Sequence, residues 1–74
     1  MAKELTNRQR EVLEAIRRLI IKEGFPPTLR EIGRECGVKN PSAVRVHLQG
    51  LQKKGMIERV AGTQRGIRIL QHEV

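Results

Sequence analysis

The N-terminal third of the chain repeats apolar residues at helical spacing. At the helical 100° per residue, one arc collects Val12, Leu13, Ala15, Ile16, Leu19 and Ile20. Thr6 and Gln9 form a Thr-x-x-Gln capping box ahead of this run, and Gly24 behind it suits a left-handed C-cap. The pattern predicts a first helix over about residues 7–23 with the apolar arc in the core. It gives no structural explanation for Ile21, which falls on the polar side.

A turn and a short second helix follow. Pro26 and Pro27 cannot continue a helix, and we expect Phe25 to plug the core at this corner. Thr28 and Glu31 then form a second capping box, which predicts a helix over about residues 29–36. Its inner face consists of Leu29, Ile32 and Cys36. Gly33 inside this helix indicates the close approach of another helix.

A four-residue connection, residues 37–40, leads to a third predicted helix. Asn40 is a suitable N-cap, and Pro41 suits the first helical position, so the helix covers about residues 41–54. Its inward face consists of Val44, Leu48 and Leu51. The opposite face carries Ser42, Val46, Gln49 and Lys53, with Arg45 beside them. The third helix therefore presents polar and basic groups outward.

The C-terminal segment predicts a β-hairpin. Residues 56–61 and 67–70 are rich in β-branched or large apolar side chains, and two glycines lie in the connection between them. Ile67 and Ile69 alternate with Arg68, so we expect the two isoleucines to face the helices. The predicted fold class is mainly α with a small β-hairpin (α+β), a three-helix winged helix-turn-helix forming a single domain over residues 1–74.

Composition narrows the function classes. The chain has 74 residues, too few for a large enzyme, and a single cysteine, which cannot form an internal disulfide. Cys and His do not recur at metal-ligand spacing, and the longest strongly apolar run is Leu19–Ile21. We expect a soluble, cytoplasmic protein without metal or cofactor.

Charge is uneven along the chain. The formal net charge is +7, and residues 37–70 hold seven basic residues but only Glu58 as an acid, whereas residues 1–36 are nearly balanced. The C-terminal half is thus the candidate surface for a polyanion. The chain has one aromatic residue. Because readers of single-stranded nucleic acid stack bases on aromatic side chains, duplex DNA is the favoured partner.

These observations assign candidate DNA contacts. In a major groove, Ser42, Arg45 and Gln49 can hydrogen-bond base edges, and the Val46 methyls can contact a thymine methyl. The phosphate candidates are the basic residues on and around the third helix and the hairpin, together with the hydroxyl of the second capping box. They are Thr28, Lys39, Lys53, Lys54, Arg59 and Arg65.

Other interpretations of the same residues stay open. Lys53 and Lys54 also favour the dipole of a helix end, and Arg65 could be an ordinary turn residue. A basic winged helix can instead be a protein-interaction or ribosome-associated module, since fold alone does not fix function. A catalytic pairing of Ser42 with Lys39 or His47 lacks a pocket and oxyanion donors, and we expect no enzyme activity.

Several motifs together resemble one known family. They are Leu5-Thr6-x-Arg8-Gln9-x-Glu11-Val12, Phe25-Pro26-Pro27-Thr28-x-x-Glu31-Ile32, Pro41-Ser42-Ala43-x-x-x-His47-Leu48, Lys54-Gly55-x-Ile57-Glu58 and Arg65-Gly66-Ile67-Arg68. Over about residues 3–71 the chain resembles the N-terminal DNA-binding domain of the LexA repressor family. The resemblance implies a bacterial repressor of the DNA-damage (SOS) response that binds palindromic operators as a homodimer. It also implies base contacts from Asn40, Ser42, Ala43, Arg45 and Val46, with the hairpin around Arg65 as the wing.

The chain departs from that family in two respects. Enterobacterial members have acidic residues where this chain has Arg45 and Val46, so we expect a different operator sequence. Family members also carry a C-terminal self-cleaving Ser-Lys protease domain that supplies most of the dimerisation, whereas this chain stops just after the hairpin. The chain is therefore expected to be an isolated domain or a shortened relative.

Overall fold

The secondary structure follows the order predicted from the sequence. A computed structural model describes residues 5–60, 62–63 and 65–70. Its elements are α1 (Asn7–Glu23), α2 (Leu29–Cys36), α3 (Pro41–Lys53), β1 (Ile57–Arg59) and β2 (Ile67–Ile69). Three helices and a two-stranded antiparallel sheet confirm the α+β winged helix-turn-helix. Residues 1–4 and 71–74 of the predicted domain, and Ala61 of the predicted first strand, lie outside the described residues.

Local signals set the bounds of α1. The Thr6 hydroxyl oxygen accepts a hydrogen bond from the Gln9 backbone N–H at 3.0 Å, and the Gln9 side chain accepts one from the Thr6 N–H at 3.1 Å. At the other end, Gly24 has a φ of 84°, which allows the left-handed C-cap. Both ends of the predicted helix are confirmed.

The second capping box works in the same way at the start of α2. The Thr28 hydroxyl oxygen accepts from the Glu31 N–H at 3.2 Å, and the Glu31 carboxylate accepts from the Thr28 N–H at 3.0 Å. A Cβ on Gly33 would lie 2.6 Å from the Val38 carbonyl oxygen and 3.4 Å from a methyl of Val44. The missing side chain of Gly33 therefore makes room mainly for the backbone of the turn at Val38 and, to a smaller extent, for Val44 of α3. The sequence had predicted the close approach of another helix only.

The first turn of α3 is capped, and its last turn is shorter than predicted. The side-chain oxygen of Asn40 accepts from the Ser42 N–H at 2.9 Å, and Pro41 takes the first helical position. The helix ends at Lys53, and Lys54 is the C-cap residue. Gly55 follows with a φ of 75° and turns the chain into the hairpin.

The hairpin is antiparallel, and its regular strands are shorter than the predicted ones. Ile57 pairs with Ile69, and Arg59 pairs with Ile67. Backbone hydrogen bonds continue beyond both strand ends, from the Val60 N–H to the Gly66 carbonyl and from the Leu70 N–H to the Met56 carbonyl. The side chain of Ile67 is buried, as the alternation predicted, whereas that of Ile69 is half-buried. Ile57 of β1, for which the sequence made no prediction, is also buried.

All three helices and the hairpin contribute to one apolar core. Helix α1 packs on α2 and α3, and β1 packs on α3. The buried apolar side chains are Val12, Leu13, Ala15, Ile16, Leu19, Ile32, Val44, Leu48, Leu51, Met56, Ile57 and Ile67. The prediction that Phe25 plugs the core is wrong, because its side chain is 45% exposed. The fully buried residue at this corner is instead Pro27.

Candidate nucleic-acid interface

The outward face of α3 is formed as the opposite of its core face. Val44, Leu48 and Leu51 are fully buried, so residues about half a turn away must point to solvent. The side chains exposed on that face are Ser42, Arg45, Val46, Gln49 and Lys53. Val46 is 63% exposed although it is apolar. Hydrogen-bonding, cationic and methyl groups therefore lie side by side on one unobstructed helix face.

The start of α3 adds two further candidates to this face. Asn40 is exposed, and Ala43 is half-buried. The cap occupies only the side-chain oxygen of Asn40, so its NH₂ group keeps two donors. A base edge approaching the first turn of α3 could accept from that group. The predicted base contacts stay predictions, but all six side chains lie on α3 or at its cap.

The phosphate candidates differ in their surroundings. Lys39 and Lys53 are exposed, and Arg59 of β1 is half-buried. Thr28 is also half-buried, and its hydroxyl oxygen accepts the capping hydrogen bond from Glu31. The hydroxyl proton of Thr28 can still be donated to a phosphate oxygen. These four groups are accessible in part or in full to a nucleic-acid backbone.

Lys54 has a partner within the protein. Its ammonium group donates a hydrogen bond to the Gln9 side-chain oxygen at 2.7 Å, and the side chain is half-buried. The contact joins the end of α3 to the first turn of α1. A phosphate contact by Lys54 stays a prediction, and it requires the ammonium to share its donors between Gln9 and DNA.

Arg65, which the sequence offered as a phosphate contact from the hairpin, binds to the α1–α2 corner. Its guanidinium donates to both carboxylate oxygens of Glu31 at 2.9 Å and to the Pro26 carbonyl oxygen at 2.9 Å. The same group lies 4.7 Å from the centroid of the Phe25 ring. The exposed Phe25 ring thus packs against Arg65, and the hydrogen bonds of Arg65 attach the hairpin to the α1–α2 corner. A phosphate contact by Arg65 stays a prediction.

The Arg65–Glu31 contact also changes proton affinities. Hydrogen bonds from Arg65, and next from the Thr28 backbone N–H, lower the pKa of the Glu31 carboxyl below its usual value. The same pairing raises the pKa of Arg65. Sequence reasoning found Glu31 as a capping residue but missed its contact with the hairpin. The missed signal is its charge, because a Glu in a capping box has a second oxygen free for a cation.

The residues considered for catalysis are not assembled for it. Ser42 is exposed, and among the described residues its side chain makes no hydrogen bond to Lys39 or His47. The Cys36 thiol is half-buried, donates a long hydrogen bond of 3.8 Å to the Glu11 carbonyl, and has a pKa raised by burial. In the described part of the chain, His, Cys, Asp and Glu form no group of three or more that could hold a metal ion. None of its helices is both long and apolar enough to span a bilayer.

The chain matches a known family. The family model described as "LexA DNA binding domain" matches residues 2–66. The matched range includes all six candidate base contacts and all six candidate phosphate contacts.

Comparison with curated proteins gives a consistent result. The chain is 53% identical over 68 residues to the LexA repressor of Methylococcus capsulatus, covering 92% of this chain and 34% of the relative. It is 52% identical over 67 residues to the LexA repressor of Marinomonas sp., covering 90% of this chain and 32% of the relative. For the LexA repressor of Bordetella avium, the identity is 47% over 73 residues, covering 99% and 34%. The chain thus spans about one third of the length of these relatives.

Proposed function

The chain belongs to the family of LexA DNA-binding domains, and from that membership we propose that it binds duplex DNA sequence-specifically and represses transcription by occupying promoter sites. The single observation that carries the proposal is the exposed outward face of α3. Arg45, Val46 and Gln49 lie on it together, and the fully buried core residues of the same helix hold that face outward.

The proposed binding mode follows from the dimensions of DNA. A major groove admits one α-helix, and each base pair presents a distinct pattern of donors, acceptors and methyl groups there. Arg45 can donate two hydrogen bonds to a guanine, Gln49 can pair with an adenine, and Val46 can contact a thymine methyl. Lys39 and Lys53 would contact phosphates and set the position of the helix in the groove.

We further propose that two copies occupy a palindromic operator of a DNA-damage regulon in the bacterial cytoplasm, at the nucleoid. The support is the family membership together with the "LexA repressor" names of the relatives. Because this chain spans about one third of those relatives, we propose that regions beyond it supply most of the dimerisation.

Selection of bound duplexes from a random pool tests the proposal, followed by affinity measurements at two salt concentrations. We expect a defined half-site and tighter binding to a correctly spaced palindrome than to one half-site. Enrichment of no sequence over random DNA would contradict specific binding and favour the protein-interaction alternative.

Two variants separate base contacts from phosphate contacts on a duplex that carries one selected half-site. Arg45→Ala should cost about 1–3 kcal/mol on the preferred site and relax selection at one or two base pairs. Lys53→Ala should weaken specific and random duplexes alike and lower the salt slope by about one. An equal loss on random DNA for Arg45→Ala would remove Arg45 from the base contacts.

A further inference from the structure

An apolar concavity lies between the C-terminal half of α1 and strand β2. It has a volume of about 440 Å³ and opens to solvent. None of the candidate base or phosphate contacts lines it. We call this surface the α1–β2 groove. Its apolar walls are Ile20, Ile21, Pro26, Ile67 and Ile69, and its cations are Arg17 and Arg68.

Ile21 on the rim of the groove is the residue that the helical pattern left unexplained. Its side chain is 78% exposed, the largest exposed fraction among the large apolar residues that the structure describes. A single exposed apolar side chain is ordinary on a protein surface. Ile21, however, shares one concave surface with the half-buried Ile20 and Ile69. Contiguous apolar surface of this kind is typical of a site that binds another protein.

Arg17 in the same groove lacks a hydrogen-bond acceptor. Its Nε and Nη2 atoms are buried and have no hydrogen-bond partner. Among residues 5–60, 62–63 and 65–70 it also forms no ion pair, although Glu14 lies three residues earlier on α1. Burying N–H donors without an acceptor costs free energy. Nε and Nη2 form one edge of the guanidinium, and the two oxygens of a carboxylate can accept from that edge together.

The charge of the groove indicates the chemistry of its partner. No acid lines it, and the 3.6 Å contact of Arg68 with Glu58 joins two exposed side chains, so it compensates little charge. A second copy of this chain, with a formal net charge of +7, would bring like charges together in a two-fold contact. A nucleic acid would supply anions but would leave the isoleucines uncovered. An acidic and apolar protein segment satisfies both features.

We propose that the α1–β2 groove binds an acidic amphipathic helix of another protein. Apolar side chains of that helix cover Ile20, Ile21 and Ile69, and one of its carboxylates accepts hydrogen bonds from Arg17. Such a helix presents apolar and acidic side chains on adjacent strips of its surface. Arg17 is only half-buried as a whole, so rotation about its side-chain bonds brings the covered edge to the carboxylate. Because the groove contains no candidate DNA contact, the partner and a duplex can bind together.

Selection from a displayed library of helical peptides, randomised on one face, tests the proposal with the wild-type protein as the target. We expect the selected peptides to share apolar residues at helical spacing and at least one Asp or Glu. A synthetic peptide with the shared sequence is then the probe. Arg17→Gln and Ile21→Asp should each weaken its binding about tenfold or more. Arg30→Gln, on the exposed surface of α2 outside the groove, should not weaken it.

An exchange of charges separates a direct contact from a structural role of Arg17. A probe with Lys in place of its acid should bind wild-type protein weakly and regain affinity for Arg17→Glu, which a structural role of Arg17 would not produce. Equal thermal unfolding of the variants checks that they share one fold. Selected peptides without an acid, or a probe that binds Arg17→Gln and Ile21→Asp as tightly as wild type, would contradict the proposal.

Two further measurements decide between the possible occupants of the groove. In sedimentation, wild-type protein should stay monomeric without DNA. Self-association that Ile21→Asp abolishes would mean that a second copy covers the groove, and the proposal would be wrong. The probe should bind equally well with and without the selected duplex. Displacement of the probe by the duplex would mean that the groove faces nucleic acid, whereas a failure of duplex binding alone would overturn the proposed function and leave the groove's partner unchanged.

Discussion

Helices α1 and α2 begin with the same capping geometry, and each capping box also holds a residue from the C-terminal half of the chain. At α1, the Gln9 side-chain oxygen accepts from the Thr6 N–H and from the Lys54 ammonium. At α2, the Glu31 carboxylate accepts from the Thr28 N–H and from the Arg65 guanidinium. The two boxes differ in one property, the charge of the residue at the third helical position. We call the box of α1, which contains Gln9, the neutral box, and the box of α2, which contains Glu31, the charged box.

The difference in charge sets what each box can hold. A neutral amide oxygen accepts one hydrogen bond from the cap and one from a lysine, so this box contacts the end of α3 through one oxygen atom. A carboxylate has two oxygens and binds the arginine fork with both, which fixes orientation as well as distance. The charged box therefore positions the hairpin, whereas the neutral box tethers a helix end.

Removing the charged box should have the largest effect. Glu31→Ala removes the acceptor of the Thr28 N–H and both acceptors of Arg65, so it loses the cap and the hairpin attachment together. In thermal unfolding followed by circular dichroism, we expect Tm to fall by more than the roughly 4–8 °C that losing about 1 kcal/mol of capping gives in a domain of this size.

A local measurement and a control identify the cause. Amide hydrogen exchange at Val60 and Leu70, whose N–H groups donate across the hairpin, should accelerate in Glu31→Ala, because the hairpin loses its attachment to α2. Glu35→Ala breaks only the ion pair with Arg18, whose side chain is about half exposed, and should change Tm little. A fall in Tm no larger than that of Gln9→Ala, with hairpin exchange unchanged, would mean that charge does not distinguish the boxes.

The N-cap residues should behave alike, which locates the difference at the third helical position. Thr6→Ala and Thr28→Ala each remove the hydroxyl oxygen that accepts one backbone N–H. Each should cost about 1 kcal/mol in the free energy of unfolding, measured by urea denaturation. The matched controls Thr6→Ser and Thr28→Ser keep the acceptor and should cost less. A much larger loss at only one of the two caps would contradict this assignment.

The two boxes should also differ in their response to acid. The pKa of Glu31 lies below its usual value of 4.5, so its ion pair stabilises the protein above that pH and the stabilisation is lost as pH falls through the folded-state pKa. Wild-type protein should therefore lose more stability in acid than Glu31→Gln, which keeps a cap acceptor without charge. The pair is more than a third exposed, so we expect a smaller effect than the loss of a cap.

Urea denaturation between pH 7 and pH 3 measures that difference. The stabilities of wild-type protein and Glu31→Gln should converge as the pH falls. Gln9 does not titrate, so Gln9→Ala should differ from wild type by a constant amount over the same range. If the stability difference between wild type and Glu31→Gln is also constant over this pH range, the charge of the Glu31 carboxylate does not stabilise the contact with Arg65.

The elements could be predicted from the sequence because their signals are local. Thr6 and Gln9, or Thr28 and Glu31, lie three residues apart, and the period of Val44, Leu48 and Leu51 fixes the outward face of α3 without knowledge of the rest. The helix bounds and the exposure of that face therefore depend only on residues that are close together in the chain.

The partners of the basic residues could not be predicted in the same way. Lys54 contacts a side chain 45 residues away, and Arg65 contacts one 34 residues away. Such contacts depend on how the helices cross, and a cation looks the same in the sequence whether its partner is a phosphate or a carboxylate. The exposure of Phe25 was missed for the same reason, since its packing partner is Arg65.

The smallest expected effect concerns the space around the neutral box. Gly50 lies inside α3, and a methyl group added there would overlap the side-chain amide nitrogen of Gln9. Alanine is favoured over glycine in a helix by about 1 kcal/mol, but the overlap would displace Gln9 from Thr6 and Lys54. In wild-type protein the two effects oppose each other, and Gly50→Ala should change the free energy of unfolding by only a few tenths of a kcal/mol.

In a Gln9→Ala background only the gain in helix propensity remains. Gly50→Ala should then stabilise the protein by about 0.5–1 kcal/mol, and the double-mutant cycle should give a coupling energy of about 0.5 kcal/mol or more. If Gly50→Ala has the same effect in both backgrounds, the glycine is not there to make room for the amide. A coupling of the expected sign means that the neutral box depends on the absence of a side chain at Gly50, which leaves space for the Gln9 amide. The charged box depends instead on the attraction between Glu31 and Arg65.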